Sequence, residues 1–248
     1  MSVAAIIPTC GRAFLAEALS SIEHQTRTAD EIIVVADGPC SSIDHMNAQV
    51  RLVSLPSCRG AAAARNAGAQ VARHDWLAFL DDDDCWLPRY IESALDAASK
   101  ANADVVCTSF VAADGDVVTP EKDAPVDLAN ADFISRNPGF RASNLLIRAS
   151  VFAAVGGFDE TLRALHDVDL GLRLARAAVR YAQVAERLVM YRKHDGSRIS
   201  GYGSREMAQA VPAFFARHRH LMSQEQERAF RVRVTRYFGV MMHAEVTP

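Results

Sequence analysis

Short apolar runs alternate, along the first hundred residues, with stretches whose apolar positions recur every three to four residues. Val3 to Ile7, Glu31 to Ala36, Val50 to Leu55 and Trp76 to Leu80 read as strands, while Ala13 to Gln25 and Ala61 to Ala72 carry helical spacing. Alternation of this kind predicts β-α-β units and a parallel sheet. Ile32-Ile33-Val34-Val35 is apolar without a break, as expected of a strand covered on both faces. Polar or glycine-rich residues follow each run, and in open α/β sheets ligands bind at those carboxyl ends.

From about Asp104 the pattern loosens. Val105 to Ala112 and Asp116 to Thr119 predict a hairpin, a polar loop with Pro120 and Pro125 follows, and Asn144 to Arg148 reads as a further strand. Leu165, Val168, Leu172 and Ala175 predict a helix over Leu165 to Val179, opened by Asp167 and Asp169 where the helix dipole favours acids. Leu188 to Tyr191 reads as a strand, and helical spacing runs from about Gly203 onward. The expected class is α/β: a single mixed, mostly parallel central sheet flanked by helices, with residues 1–204 as the body and 205–248 as a C-terminal helical extension. No internal repeat or low-complexity tract interrupts this pattern.

A chain of 248 residues, half of them hydrophobic, can bury a substantial core. The net charge is −3, unevenly spread: 7 of the 27 basic and 4 of the 30 acidic residues lie from Arg205 onward, leaving the body near −6 and the tail near +3. That balance argues against whole-protein nucleic-acid binding. Five cysteines, Cys10, Cys40, Cys58, Cys85 and Cys107, include no C-x-x-C pair and cannot all pair within the chain, so a reduced cytosolic compartment is the simpler expectation. The first residues lack a basic segment and break at Pro8, and no apolar stretch approaches the ~20 residues of a membrane span. In the tail, Phe214, Phe215, Leu221, Met222, Phe230, Tyr237 and Phe238 are interleaved with Arg217, Arg219, Arg228, Arg231, Arg233 and Arg236. This pattern suits peripheral contact with an anionic membrane face, or equally a helix packed on the body or on a second subunit.

Four constellations carry candidate chemistry. Ile7-Pro8-Thr9-Cys10-Gly11-Arg12 is a strand end, a glycine turn and a helix start, where backbone N–H groups can face an anion; as a strand-turn-helix it is also ordinary structure. Val34-Val35-Ala36-Asp37-Gly38 ends a buried strand on an acid, which can accept from a nucleotide base or ribose or can simply shape a turn. In Arg59-Gly60-Ala61-Ala62-Ala63-Ala64-Arg65-Asn66-Ala67-Gly68 the small residues let a helix sit close to the sheet. Arg65 either reaches a base or phosphate or is a solvated surface Arg. The fourth is decisive: Trp76-Leu77-Ala78-Phe79-Leu80 runs into Asp81-Asp82-Asp83-Asp84 and then Cys85-Trp86-Leu87-Pro88. Four adjacent acids clamped between apolar residues raise one another's pKa unless a cation joins them, and Mg²⁺ or Mn²⁺ takes carboxylate oxygens while sharing its other positions with phosphates.

In this order the four segments resemble the family 2 glycosyltransferases of the GT-A nucleotide-diphospho-sugar transferase fold, over roughly residues 3 to 200. The resemblance implies a nucleoside-diphosphate sugar donor, a nucleotide-binding half over about residues 1–103 and an acceptor half over about 104–204. It implies that Pro8, Thr9 and Arg12 form the first nucleotide-binding turn, that Asp37 contacts the base, and that Arg65 lies beside base and phosphate. Asp81 or Asp82 then contacts the ribose, and Asp83 holds the metal. The match extends through Arg148, Gly156-Gly157-Phe158-Asp159-Glu160 and His166-Asp167-Val168-Asp169-Leu170. In the family this last block usually reads Glu-Asp-x-Asp-Leu and its Glu-Asp pair supplies the general base; here His166 stands for the Glu and Asp167 remains. Asp167 is therefore the expected catalytic base, its other reading being a first-turn helix acid. His194, after Arg192 and Lys193, matches a late segment whose His can sit near the diphosphate or metal, though a lone loop His is commonly a surface residue.

The expected activity is metal-dependent, inverting transfer of a hexose-type sugar to an acceptor hydroxyl, in polysaccharide, cell-envelope or glycoconjugate biosynthesis. The acceptor would be a glycan, a lipid-linked sugar or a small molecule, with no nucleic acid as partner. A nucleotidyltransferase is the enzymatic rival, but Pro8 to Arg12 is a poor triphosphate loop. A catalytically silent nucleotide-sugar-binding protein draws its support from His166. A dehydrogenase lacks its G-x-G-x-x-G fingerprint.

Overall fold

The computed structural model describes residues 1–40, 50–193 and 201–242. Three parallel strands, β1 (Val3–Thr9), β2 (Glu31–Asp37) and β3 (Val50–Leu55), are linked by helix α1 (Leu15–Glu23) and by residues 38–49. Helix α2 (Ala61–Val71) leads to β4 (Trp76–Phe79), which pairs with the other side of β1, so that Ile6 lies between Ile33 and Phe79. After the acidic run, the short β5 (Cys85–Trp86) and helix α3 (Tyr90–Ala101) precede β6 (Val105–Asp114) and β7 (Val117–Pro120). Then come β8 (Leu145–Arg148), helices α4 (Ala149–Ala154) and α5 (His166–Arg176), β9 (Tyr181–Lys193), α6 (Arg205–His218) and α7 (Gln224–Phe238).

Among the described residues the nine strands form one sheet in the order β3-β2-β1-β4-β8-β6-β9-β5, with β7 added to β6. The sheet is mixed. β8 runs antiparallel between β4 and β6, whereas β6 and β9 are parallel to each other. Both halves of the body read from the sequence therefore share one sheet. Because β8 runs against β4, the start of β8 lies at the edge where β4 ends, and so do the ends of β1 and β2. That shared edge is where polar residues collect.

Alternation along β1 sorts the core. Val3, Ala5 and Ile7 join the α1 and α3 side with Leu15, Ile22, Ile91 and Leu95, while Ala4 and Ile6 face α2, Phe152, Phe158 and the C-terminal helices. Helix α2 lies directly on the sheet: a Cβ on Gly68 would stand 2.5 Å from Ile6 Cγ2 and 3.1 Å from Val35 Cγ2.

Several elements depart from the sequence reading. Strand β9 begins at Tyr181 instead of Leu188, because its first half, Tyr-Ala-Gln-Val-Ala-Glu-Arg, has weak strand propensity and gains its conformation by pairing with β6 across two register shifts. Helix α3, absent from that reading, buries Tyr90, Ile91, Ala94, Leu95 and Ala98 against the sheet. Tail residues Phe214, Phe215, Phe230 and Phe238 are buried in the core of the body while Tyr237 is 60% exposed, so the stripe considered for a membrane turns its phenylalanines inward. No helix among the described residues is long and apolar enough to cross a membrane, and none of the five cysteines forms a disulfide.

A buried ionic cluster fastens the tail to α5. Asp169, fully buried, accepts from Arg173 Nε at 2.8 Å and is bonded to His218 Nε2 at 2.8 Å, and Arg217 pairs with Asp159 alongside. Burial pushes the Asp169 carboxyl up, but the bonds from His218 and Arg173 outweigh it and hold it below the usual carboxylate range. His218→Ala should therefore cost about 1–3 kcal/mol in urea unfolding, against under about 0.5 kcal/mol for Val232→Ala on the exposed face of α7. Since the folded-state pKa is depressed, this stability is present above the ordinary value of about 3.9 and lost as pH falls through the lower folded one. Acid-titration unfolding of Asp169→Asn should have a shallower low-pH limb than wild type.

Candidate active site

At the carboxyl edge of the sheet lies a cavity of about 470 Å³. Pro8, Thr9 and Arg12 reach it from the end of β1, Asp37 from the end of β2 and Arg65 from α2. Asp81, Asp82 and Asp83 enter from the end of β4, and Asp167 from the first turn of α5. All of the residues expected from the sequence to act on donor, metal or proton thus meet in one place, except His194, which lies outside the described residues.

The four consecutive acids leave β4 in different directions. Asp82 accepts a 2.6 Å hydrogen bond from Thr9 Oγ1, and Thr9 in turn accepts from Gly11 N at 3.0 Å, which ties the acidic run to the glycine turn after β1. Asp83 pairs with Arg12, and Asp81 pairs with Arg65. Asp84 is buried and accepts from Arg192 N at 3.3 Å. Ser143, in the short helical turn just before β8, accepts from Asp81 N at 3.2 Å, and its own carbonyl accepts from Trp86 Nε1 at 2.9 Å, so the acidic turn is held from both ends.

Burial pushes the Asp82 carboxyl up to about 6 against the pull of Thr9 and Arg12. Burial, with the charges of Asp81 and Asp83 added, pushes Asp84 up to about 8. Desolvation acts the same way on Asp81, but the Arg65 guanidinium outweighs it and holds that carboxyl down. Asp81, Asp83 and Asp84 each offer an oxygen within 4.8 Å of the others. An all-oxygen, mutually repelling donor set of this size fits a hard divalent cation, which would offset the repulsion that adds to burial in raising Asp84. The sequence reading assigned the metal to Asp83 and His194; His194 lies outside the described residues, and the geometry groups Asp83 with Asp81 and Asp84 and turns Asp82 toward Thr9.

Asp37 is more occupied than its motif suggests. Its two oxygens accept from Arg59 N at 2.6 Å and Gly60 N at 2.7 Å, fixing the entry to α2, while the side chain still borders the cavity. Arg65 is not a solvated arginine: it is 3% exposed, lies 5.3 Å over the Phe158 ring and donates to His166 Nε2 at 2.7 Å. Asn66 clamps the same segment, donating to Phe158 O at 2.8 Å and accepting from Phe158 N at 2.9 Å. The Arg65-Asn66 segment and Gly156 to Glu160, ninety residues apart, thus form one surface.

A guanidinium has no lone pair, so the Arg65 contact requires His166 Nε2 to be the unprotonated nitrogen. Burial, then the charge of Arg65, pushes His166 down to about 4. Its free lone pair is spent on Arg65 and its basicity is low, which leaves Asp167 as the cavity-facing carboxylate of the pair. Leu165, just before the helix, holds a left-handed φ of 61°. Such backbone is uncommon for a bulky residue and marks the sharp entry into α5. Arg192 is engaged elsewhere, paired with Glu17 and 4.7 Å over the Phe14 ring.

Residues 4–157 match the sequence profile described as glycosyl transferase family 2. The chain belongs to that family. Among proteins similar to this family 2 member, an uncharacterized glycosyltransferase of Haemophilus influenzae is 28% identical over 179 residues, covering 68% of the chain and 60% of the relative. A pre-mycofactocin glycosyltransferase of Mycobacterium tuberculosis is 33% identical over 175 residues, covering 62% of the chain and 36% of the relative. The family 2 chain thus spans about 60% and 36% of the lengths of these two relatives. S. aureus TarS 1–349, solved in complex with UDP-GlcNAc, superposes on 97% of the chain with a TM-score of 0.70 at 18% identity and covers 74% of that structure. The fold is the GT-A fold shared with TarS.

Sequence reasoning placed no role on Lys122 or Arg141, counted Asp84 only within the acidic run and Arg233 only within the basic pattern of the tail, yet all four line the cavity of this family 2 protein. Asp84 was visible within the acidic run; the three cations stand in segments with no motif of their own. Removing one of the clustered acids should weaken metal binding without unfolding the chain. Asp83→Ala is expected to lower Mn²⁺ affinity by at least about tenfold in an electron paramagnetic resonance titration, one charged ligand contact being worth roughly 1.5–3 kcal/mol. Its thermal midpoint in the absence of metal should stay within a few degrees of wild type.

Proposed function

We propose that the chain transfers a sugar from a nucleoside-diphosphate sugar to an acceptor hydroxyl with inversion of configuration, in the assembly of a polysaccharide, cell-envelope component or other glycoconjugate. The observation that carries this reading is the convergence of the β1, β2 and β4 ends, Arg65 and Asp167 on one cavity. In this reading Thr9, Arg12, Asp37 and Arg65 border the nucleotide, with Asp81 or Asp82 toward the ribose. Asp83, with Asp81 and Asp84, would hold Mg²⁺ or Mn²⁺, which would neutralise the departing diphosphate. His194 is carried as a further candidate near that metal.

The chain's own groups supply the rest. Arg65, held by Phe158 and His166, presents a fixed positive charge, which a preorganised low-dielectric site makes more effective than in water. Asp167 takes the proton of the acceptor hydroxyl as its oxygen attacks the sugar from the face opposite the leaving group. His166 serves as a neutral acceptor that orients Arg65. The rival reading, a silent nucleotide-sugar binder, draws on the His166 substitution, but a neutral histidine turned to Arg65 leaves Asp167 free for its task.

TarS was solved with UDP-GlcNAc, so UDP-sugars are the first donors to try, beside GDP- and dTDP-sugars, in a thermal-shift screen with Mn²⁺. With a donor and acceptor in hand, Asp167→Asn should lower the transfer rate by about 10² or more while leaving donor affinity nearly unchanged. His166→Gln, which keeps an oxygen to accept from Arg65, should retain turnover within about tenfold. A dead His166→Gln beside an active Asp167→Asn would reverse the assignment, and two variants matching wild type in binding with no transfer by any of the three would favour the binder.

A further inference from the structure

The remainder of the cavity wall carries three cations from three separate parts of the chain: Lys122 after β7, Arg141 before β8 and Arg233 on α7. None of them belongs to the segments read as donor or metal site. Lys122 Nζ donates to Asn137 O at 3.2 Å, which occupies one of its three hydrogens. Arg141 is stacked 4.3 Å over Tyr191 and 4.9 Å over Phe110, has Glu121 at 3.7 Å, and holds a buried Nη1 with no hydrogen-bond partner among the described residues. Arg233 lies 5.5 Å over the Phe238 ring, and among the described residues no hydrogen bond or ion pair closes on it; Asp167 and Asp132 act on it only at longer range.

Three cations bordering one cavity, Arg141 and Arg233 half-buried and Lys122 exposed, repel one another. Burial, followed by the charges of Arg233 and Arg141, pulls Lys122 below its ordinary pKa, and burial does the same to Arg233 despite Asp167 and Asp132. Donors left unused around an open volume, two hydrogens of Lys122, Nη1 of Arg141 and the guanidinium of Arg233, are what an oxyanion needs, since each charge-assisted hydrogen bond offsets the desolvation of the cation that donates it. In the proposed reading the donor diphosphate is met elsewhere, by Arg12 and by a metal ion held on the acids after β4. Arg233 instead acts on Asp167, the group that receives the acceptor's proton.

Resting on the reading of Asp167 as the acceptor's base, we propose that the acceptor carries an oxyanion group, a phosphate or a carboxylate, near the hydroxyl that is glycosylated, and that Lys122, Arg141 and Arg233 bind it. The C-terminal helices thereby take part in the site, since α7 brings Arg233 to the cavity while its Phe230 and Val234 anchor in the core. Arg141, pinned by two aromatic faces, offers a rigid planar fork, and Lys122 a compact charge on a flexible stem.

The test uses the full chain saturated with Mn²⁺ and the nucleoside diphosphate that stabilises it most, so that the donor-phosphate positions are filled. Calorimetric titration with glycerol 3-phosphate and with glucuronate distinguishes phosphate from carboxylate, and glycerol serves as the neutral control. At least one of the two anions should bind while glycerol does not. In a Lys122→Gln/Arg233→Gln variant its affinity should fall by at least about tenfold, with nucleoside-diphosphate affinity within about twofold of wild type. Gln keeps most of each aliphatic stem, and Arg141→Gln gives a second variant should the double one fold poorly. Binding of neither anion to wild type, equal binding of glycerol, or undiminished anion affinity in the variants overturns the proposal. Parallel loss of nucleotide affinity overturns it too, by assigning the cations to the donor. Failure of wild type to bind any nucleoside diphosphate counts against the donor reading, and the same anion titrations on the Mn²⁺-loaded chain then decide this one.

Discussion

Four carboxylates in succession at the end of a buried strand are tolerable only if each finds a different partner within a few ångströms of the backbone. Thr9 takes Asp82, Arg12 takes Asp83, Arg65 takes Asp81, and Asp84 turns to the backbone of Arg192. These partners come from the turn after β1, from α2 and from β9, so the acidic run determines which edges of the sheet must meet. The return of the chain through β5 to pair with β9 follows from the same demand, because it closes the turn that displays the acids. Sheet order, the close seat of α2 over Gly68 and the clamp of Asn66 on Phe158 all bring partners to one edge.

Arg65 joins this network to the catalytic side. It touches Asp81, stands over Phe158 and donates to His166, whose neighbour Asp167 faces the cavity. Where the family usually carries an anionic Glu, this chain has a neutral acceptor, so the charge of Arg65 is balanced by Asp81, with no second carboxylate among the described residues in contact. A neutral partner keeps Arg65 oriented but leaves more of its positive charge available to a ligand. The substitution changes the electrostatics around Asp167, the proposed base, and His166 itself is a poor proton acceptor.

Much of the fold was legible because burial on both faces leaves an unmistakable run such as Ile32-Ile33-Val34-Val35, and because the parallel strands begin and end close to where their apolar runs do. The start of β9 was hidden, since Tyr181 to Arg187 is strand only by virtue of pairing with β6. At the site, the residues proposed to meet the donor stand in contiguous motifs at strand ends, where topology forces them together. Lys122, Arg141 and Arg233 belong to no motif; only the packing of α7 on the body brings Arg233 beside residues a hundred positions earlier. The roles of neighbouring acids were also beyond a linear reading, because whether Asp82 or Asp84 joins Asp83 depends on which way the backbone turns after Leu80.

The central claim is that the acidic run after β4 is where metal and nucleoside diphosphate meet. A crystal of the chain grown with Mn²⁺ and its preferred nucleoside diphosphate, measured at a wavelength where manganese scatters anomalously, tests it directly. The account predicts one anomalous peak in coordination contact with Asp83 and at least one of Asp81 and Asp84, bridged to the diphosphate, with the nucleoside lying along Thr9, Asp37 and Arg65. A peak elsewhere in the molecule, or a nucleotide bound away from these acids, would contradict it.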